Sequence, residues 1–197
     1  MTEPINFKST EFNNSIKFIS SLGNEISFQK KEILISPGYN SQFVFFILEG
    51  VLKQYYSILD SSKSKSDKIK TEQREFVFRL IQEGEFCESA TSLRNIHPSS
   101  DSIEDLSSGK AIQIYYPDLE VKMQSDIFLS NTIRRIIEDY YIEQERRILS
   151  FLSNSPKQRY DELIANHPEW IGKFPDYVIA SFLGITKETM SRFRAKN

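Results

Sequence analysis

At Asp126 the hydrophobic rhythm of this 197-residue chain changes. Before it, short apolar runs alternate with polar residues or stand between turn signals. After it, apolar residues recur at steps of three and four. A period near two fits strands and one near 3.6 fits helices. The chain therefore predicts an α+β protein, with a strand-rich first part joined to a helical second part. Leu129, Ile133, Ile136 and Tyr140 follow four-three-four spacing, and the pattern persists to about Leu152. At 1.5 Å per residue that is a rod of roughly 40 Å. Asn154-Ser155-Pro156 stops it. The division is 1–125, a β-rich domain; 126–152, a long helix; and 153–197, a terminal helical domain.

Within the first part, Phe12, Ile16, Ile19 and Leu22 stand at helical steps before Gly23. Ile26 and Phe28 alternate with polar residues, and Ile33-Leu34-Ile35 precedes a Ser36-Pro37-Gly38 turn. Phe43 to Leu48 is a dense aromatic and branched run. Glu49-Gly50 then reads as the turn of a hairpin returning through Val51 to Ile58. Residues 59–72, rich in Ser and Lys, read as a hairpin loop. Strand character resumes at Glu75 to Ile81 and breaks at Gln82-Glu83-Gly84-Glu85. Leu93 to Ser108 reads as mostly irregular, before a last strand at Ala111 to Tyr115. Many short strands between turns predict a sandwich or barrel.

Pro175 to Asn197 predicts two short helices around a tight turn. Small Ala180 permits close approach, Gly184 can take φ > 0, and Thr186 is placed to cap the second helix. Ile185, Met190 and Phe193 would pack inward. Lys187, Glu188, Ser191, Arg192 and Ala195 share the opposite face. An exposed helix of this kind is how helix-turn-helix proteins enter a major groove.

The net charge of −2 argues against a non-specific nucleic-acid coat. The sign is uneven, however. From Ser155 onward there are seven Lys and Arg against five Asp and Glu, and the remainder carries 18 against 22. A slightly basic end on an acidic body suits local phosphate contact. The single cysteine, Cys87, excludes an internal disulfide and multi-cysteine metal sites. It reads as a small buried hydrophobe, with a redox-sensitive thiol as the alternative. His97 and His167 are far apart and form no metal cluster with carboxylates. No catalytic residue, metal or cofactor is assigned, and the chain is expected not to be an enzyme. No run of 18 uncharged apolar residues occurs, and the N-terminus lacks a secretory pattern. A cytoplasmic protein without membrane contact is expected.

The residues Phe151-Leu152-Ser153-Asn154-Ser155-Pro156-Lys157-Gln158-Arg159-Tyr160 and the stretch Phe174 to Arg192 carry a family resemblance. So do Ile47-Leu48-Glu49-Gly50 and Gly84-Glu85-Phe86. The chain resembles the Crp/Fnr transcription regulators, in the branch common in Bacteroidetes. The resemblance implies a cyclic-nucleotide-binding-type β-roll (a jelly roll), a dimerisation helix and a DNA-binding helix-turn-helix domain. It implies a homodimer on double-stranded DNA, and it admits RNA polymerase as a further partner. The seam Leu129, Ile133, Ile136 and Tyr140 is expected to pair with its copy across a two-fold axis; the alternative is that it packs on the chain's own β domain. The family's base-reading positions match Lys187, Glu188 and Arg192. Ser191 could bond either way, and Thr186, Arg194 and Lys196 are better placed for phosphates. The family's terminal wing is expected to be missing, because the sequence ends eleven residues after Thr186.

The effector region departs from the pattern. Cys87-Glu88-Ser89-Ala90 stands where nucleotide binders carry a glycine-glutamate pair, and His97 to Ser102 contains no arginine for a phosphate. Cyclic AMP is therefore not expected to bind. Glu88 and Ser89 could line a pocket for another small molecule. The competing reading of the whole chain is a ligand-binding or protein-interaction β-roll that does not bind DNA.

Overall fold

The computed structural model describes residues 17–63 and 69–195. Its strands are β1 (Asn24–Phe28), β2 (Ile33–Ile35), β3 (Phe43–Glu49), β4 (Val51–Lys63), β5 (Ile69–Gln82), β6 (Phe86–Cys87), β7 (Ser102–Asp105) and β8 (Gly109–Tyr115). They form two antiparallel four-stranded sheets, ordered β1-β8-β3-β6 and β2-β7-β4-β5. Besides a short helical turn at Trp170–Lys173, the helices are α1 (Ala90–Leu93), α2 (Tyr116–Ser125), α3 (Ile127–Ser153), α4 (Pro156–Asn166), α5 (Asp176–Leu183) and α6 (Lys187–Arg194). Of the expected N-terminal helix, residues 17–20 are helical, and Ile19 and Leu22 pack inward. Phe12 and Ile16 lie outside the described residues.

The unbroken apolar run of β3 is explained by burial on both faces. Phe43, Phe45 and Ile47 point between the two sheets, onto Phe28, Leu52, Ile81 and Ile103. Val44, Phe46 and Leu48 point the other way, onto Ile112, Ile114, Leu119 and Leu129 beneath α2 and α3. Cys87 belongs to the intersheet core and has no exposed surface. Burial pushes its thiol pKa up, so little reactive thiolate forms.

The hairpin expected across Glu49-Gly50 does not form. β3 and β4 lie in different sheets, and Gly50 is where the chain crosses between them. Its φ is +104°, and a Cβ there would meet Phe28, Ser107 and Gly109 at 3.2–3.3 Å. β4 pairs instead with β5, from Val51↔Gln82 to Lys63↔Ile69. Pairing thus runs into the polar stretch that read as a loop, and 64–68 lie outside the described residues. A ladder is carried by backbone hydrogen bonds, so Ser and Lys do not prevent it. Likewise Leu93 to Ser108, expected to be irregular, contributes β7, which pairs with both β2 and β4.

Helix α3 begins where the period changes. Asp126 caps it, Oδ1 accepting from Phe128 N at 2.9 Å and Leu129 N at 3.0 Å. Part of the seam expected at a dimer interface packs on the chain's own β domain. Leu129 is 2% exposed in the chain's own core, with Ile133 packed beside it. The Arg79 guanidinium lies 4.4 Å above the Tyr140 ring, and Ile136 is half-buried on the same face. The four-three-four spacing locates an apolar stripe but not what covers it. A second stripe lies on the neighbouring face: Ile137, Tyr141, Ile148 and Leu152 are 61%, 66%, 60% and 79% exposed.

Candidate nucleic-acid interface

The terminal helices are set by local signals. Ser155 and Gln158 form a capping box at the start of α4. Gly184 closes α5 in the left-handed region, with Ile185 N donating to Ala180 O at 2.9 Å. Thr186 caps α6 by accepting from Thr189 N at 3.2 Å. Ala180 and Met190 are buried where α5 meets α6, and Ile185 and Phe193 pack against the same core.

This core is not confined to the helical domain. Val51, Tyr55, Val77, Leu80 and Leu106 of the β domain join Tyr160, Leu163, Trp170, Phe174, Val178, Ile179 and Met190 in one cluster. Polar contacts fix its edges. Ser181 Oγ accepts from Val77 N and donates to Glu75 O, both at 3.0 Å. Arg147 of α3 donates to Phe182 O at 3.0 Å and Val77 O at 3.3 Å, between the Phe151 and Phe182 rings. Burial lowers the Arg147 pKa to about 10. Lys53 lies between Glu75 and Glu104, under the Tyr55 ring. Burial opposes its charge, but the two glutamates outweigh burial and raise its pKa.

Thr186, Lys187, Glu188, Ser191, Arg192 and Arg194 are all exposed on α6, so the polar flank is open. Arg192 Nη2 donates to Thr189 Oγ1 at 3.0 Å, and Thr186 Oγ1 donates to the same oxygen at 3.1 Å. Glu188 has its carboxyl pKa lowered chiefly by its own backbone N–H. Arg194, expected on a phosphate, is engaged within the chain. Its Nη1 donates to both oxygens of Asp176 at 3.1 Å, tying α6 to the start of α5. Lys196 lies outside the described residues. Thr189, Asp176, Ser181 and Arg147 escaped sequence reasoning; hydroxyls and ion pairs across separate helices leave no periodic trace.

The two candidate effector residues part company. Glu88 sits 3.9 Å from Arg79 Nη1, and its main-chain oxygen accepts from Gln54 Nε2 at 2.9 Å. Ser89 Oγ donates to Asp101 Oδ1 at 2.8 Å, and Ser99 Oγ lies 3.0 Å from it. Gln54 Nε2 donates to Asp101 Oδ2 at 2.6 Å. Ser89, Ser99, Asp101 and Gln54 are each at most 4% exposed, so they form a closed polar knot. Arg79 comes from β5, outside both residues 87–90 and 97–102, and it also donates to Phe86 O. A cleft of about 490 Å³ opens elsewhere, lined by Leu34, Tyr39, Phe43, Phe45 and Gln113 among others.

A β-roll, a long helix and a helix-turn-helix in this order make the fold that of the Crp/Fnr regulators. No protein-family model matches the sequence, and no curated protein matches it. Solved structures do. FixK2 from Bradyrhizobium japonicum aligns over 88% of this chain and 83% of its own, with a TM-score of 0.68 at 15% identity. CLP from Xanthomonas campestris, a c-di-GMP-responsive global regulator, aligns over 93% of this chain and 90% of its own, with a TM-score of 0.61 at 14% identity. The Thermus thermophilus catabolite activator protein aligns over 96% of this chain and 83% of its own, with a TM-score of 0.52 at 14% identity. Among the described residues no helix is long and apolar enough to cross a membrane.

Proposed function

We propose that the chain is a homodimeric regulator that binds double-stranded DNA and reads a pseudo-palindromic site with α6. The observation that carries this reading is the division of α6. Met190 is 1% exposed on its inner side, while Lys187, Glu188, Ser191 and Arg192 stand in solvent on its outer side. Arg and Lys can donate to guanine O6 and N7, and Glu can accept from cytosine N4. The second copy would cover Ile137, Tyr141, Ile148 and Leu152, an exposed apolar stripe on the long helix. Transcription machinery, RNA polymerase included, is the downstream partner of such a regulator.

Selection of bound sequences from random duplex tests this. The recovered sites should be two-fold symmetric, with half-sites about one helical turn apart. Arg192→Ala should relax preference at one position per half-site, costing about 1–3 kcal/mol there. Recovery of unrelated sequences by the wild-type chain would remove the reading.

The effector is not cyclic AMP in this reading. Asp101 puts a carboxylate, not a guanidinium, into the buried knot beside Ser89. A phosphate placed against it would be repelled and desolvated, at a cost of several kcal/mol. Calorimetric titration with cyclic AMP should give no saturable heat; micromolar affinity would show that the knot opens.

A further inference from the structure

The side chains of Thr186, Thr189 and Arg192 make one connected unit along α6, with Thr186 and Arg192 exposed and Thr189 half-buried between them. Thr189 N–H donates to Thr186 Oγ1 at 3.2 Å, which is the helix cap. Thr186 Oγ1 donates to Thr189 Oγ1 at 3.1 Å. Thr189 Oγ1 in turn accepts from Arg192 Nη2 at 3.0 Å. The hydroxyl of Thr189 therefore joins the fixed start of the helix to the end of a long side chain one turn further on.

We propose that Thr189 is a specificity-determining residue: its hydroxyl holds the Arg192 guanidinium in its reading pose before DNA arrives. This rests on the DNA-reading role proposed above. An exposed arginine is otherwise free to sample many rotamers, and ordering it at a base edge takes up part of the binding free energy. A guanidinium that reads guanine uses two N–H groups in a fixed fork. One Nη2 bond to Thr189 leaves Nη1 and the remaining hydrogens able to face the groove. The cap is made by the backbone N–H of Thr189, not by its side chain. The side chain can accordingly be changed without uncapping α6. Arg194 has no comparable freedom, since Asp176 already holds it by both oxygens.

The test uses the full chain, with Thr189→Val, which keeps the branched shape, and Thr189→Ser, which keeps the hydroxyl. Affinities are measured by fluorescence anisotropy for a selected duplex and for the same duplex changed at the base pair that Arg192→Ala stops discriminating. In T189V, discrimination at that base pair should fall about 3- to 10-fold. The salt slope and the melting temperature should stay as in wild type, T189S should restore discrimination, and T189V should add nothing in an R192A background. Full discrimination by T189V would overturn the proposal. So would equal weakening on every duplex with a shallower salt slope, which marks a phosphate contact instead. Nitrogen relaxation of the Arg192 side chain in the DNA-free protein reads the same bond directly. It should report an ordered guanidinium in wild type and a mobile one in T189V; equal mobility would sink the proposal. An ordered guanidinium in a chain that binds no duplex would remove the DNA-reading role alone.

Discussion

Trp170→Ala is expected to destabilise the chain by about 3–5 kcal/mol, the usual cost of emptying a buried aromatic site. Trp170 is 4% exposed and meets Phe174 and Phe182 edge-on, both at 5.7 Å, with His167 stacked on it at 4.1 Å. The side chain belongs to the cluster that joins Val51, Tyr55, Val77 and Leu80 to the terminal helices. The loss should therefore be felt in both parts of the molecule. Wild type should unfold in one cooperative transition. The variant should unfold in two, with the terminal helices melting first. Scanning calorimetry checks this; a loss under about 1 kcal/mol, with one transition retained, would mean that the shared core does not couple the parts. Because Ser181 and Arg147 tie α5 to the edge of β5, loosening the core should also reduce DNA affinity without touching the reading face.

Asp105→Asn should change the pH dependence of stability more than any other single substitution in the roll. Asp105 has no exposed surface, and no described residue donates to either of its carboxylate oxygens. Burial, with Glu32 and Glu104 nearby, raises its pKa from 3.8 to about 8. Between those values the folded chain keeps a proton that the unfolded chain has released. Stability therefore falls as pH rises through this window, and the slope vanishes once both states are ionised. Glu85, raised by burial from 4.5 to about 7, contributes with the same sign over a narrower pH window. The Asn variant and wild type should be nearly equal in stability at pH 4. They should differ by about 5 kcal/mol in favour of Asn at pH 8. Urea titrations across that range measure the gap, and parallel curves would show that Asp105 is ionised and solvated.

The residues that fix local structure were legible because each acts through its neighbours in the chain. Asp126, Ser155, Gly184 and Thr186 mark helix ends by backbone chemistry, and Ala180, Met190 and Phe193 mark an inner face by spacing. Which surface an apolar stripe meets is a different kind of question. Leu129 and Ile133 looked like a pairing seam because spacing gives a face, while the sheet that buries it brings together β3 and β8, strands far apart in the chain. Glu49-Gly50 looked like a hairpin for the same reason. A glycine turn reverses or redirects the chain, and the partner of β4 is decided by the two sheets together.

Sequence alone determined the order of the parts, the caps of the terminal helices and the outward set Lys187, Glu188, Ser191 and Arg192. These follow from periods and from backbone hydrogen bonds reaching at most a few residues. Only the tertiary structure decided that Arg194 is held by Asp176 and that Asp101 is knotted to Ser89 and Gln54. It alone decided that the terminal helices share a core with the roll. Those contacts join residues from 12 to more than 100 positions apart. Their strength depends on burial and geometry, and neither is written in the spacing of residues along a chain.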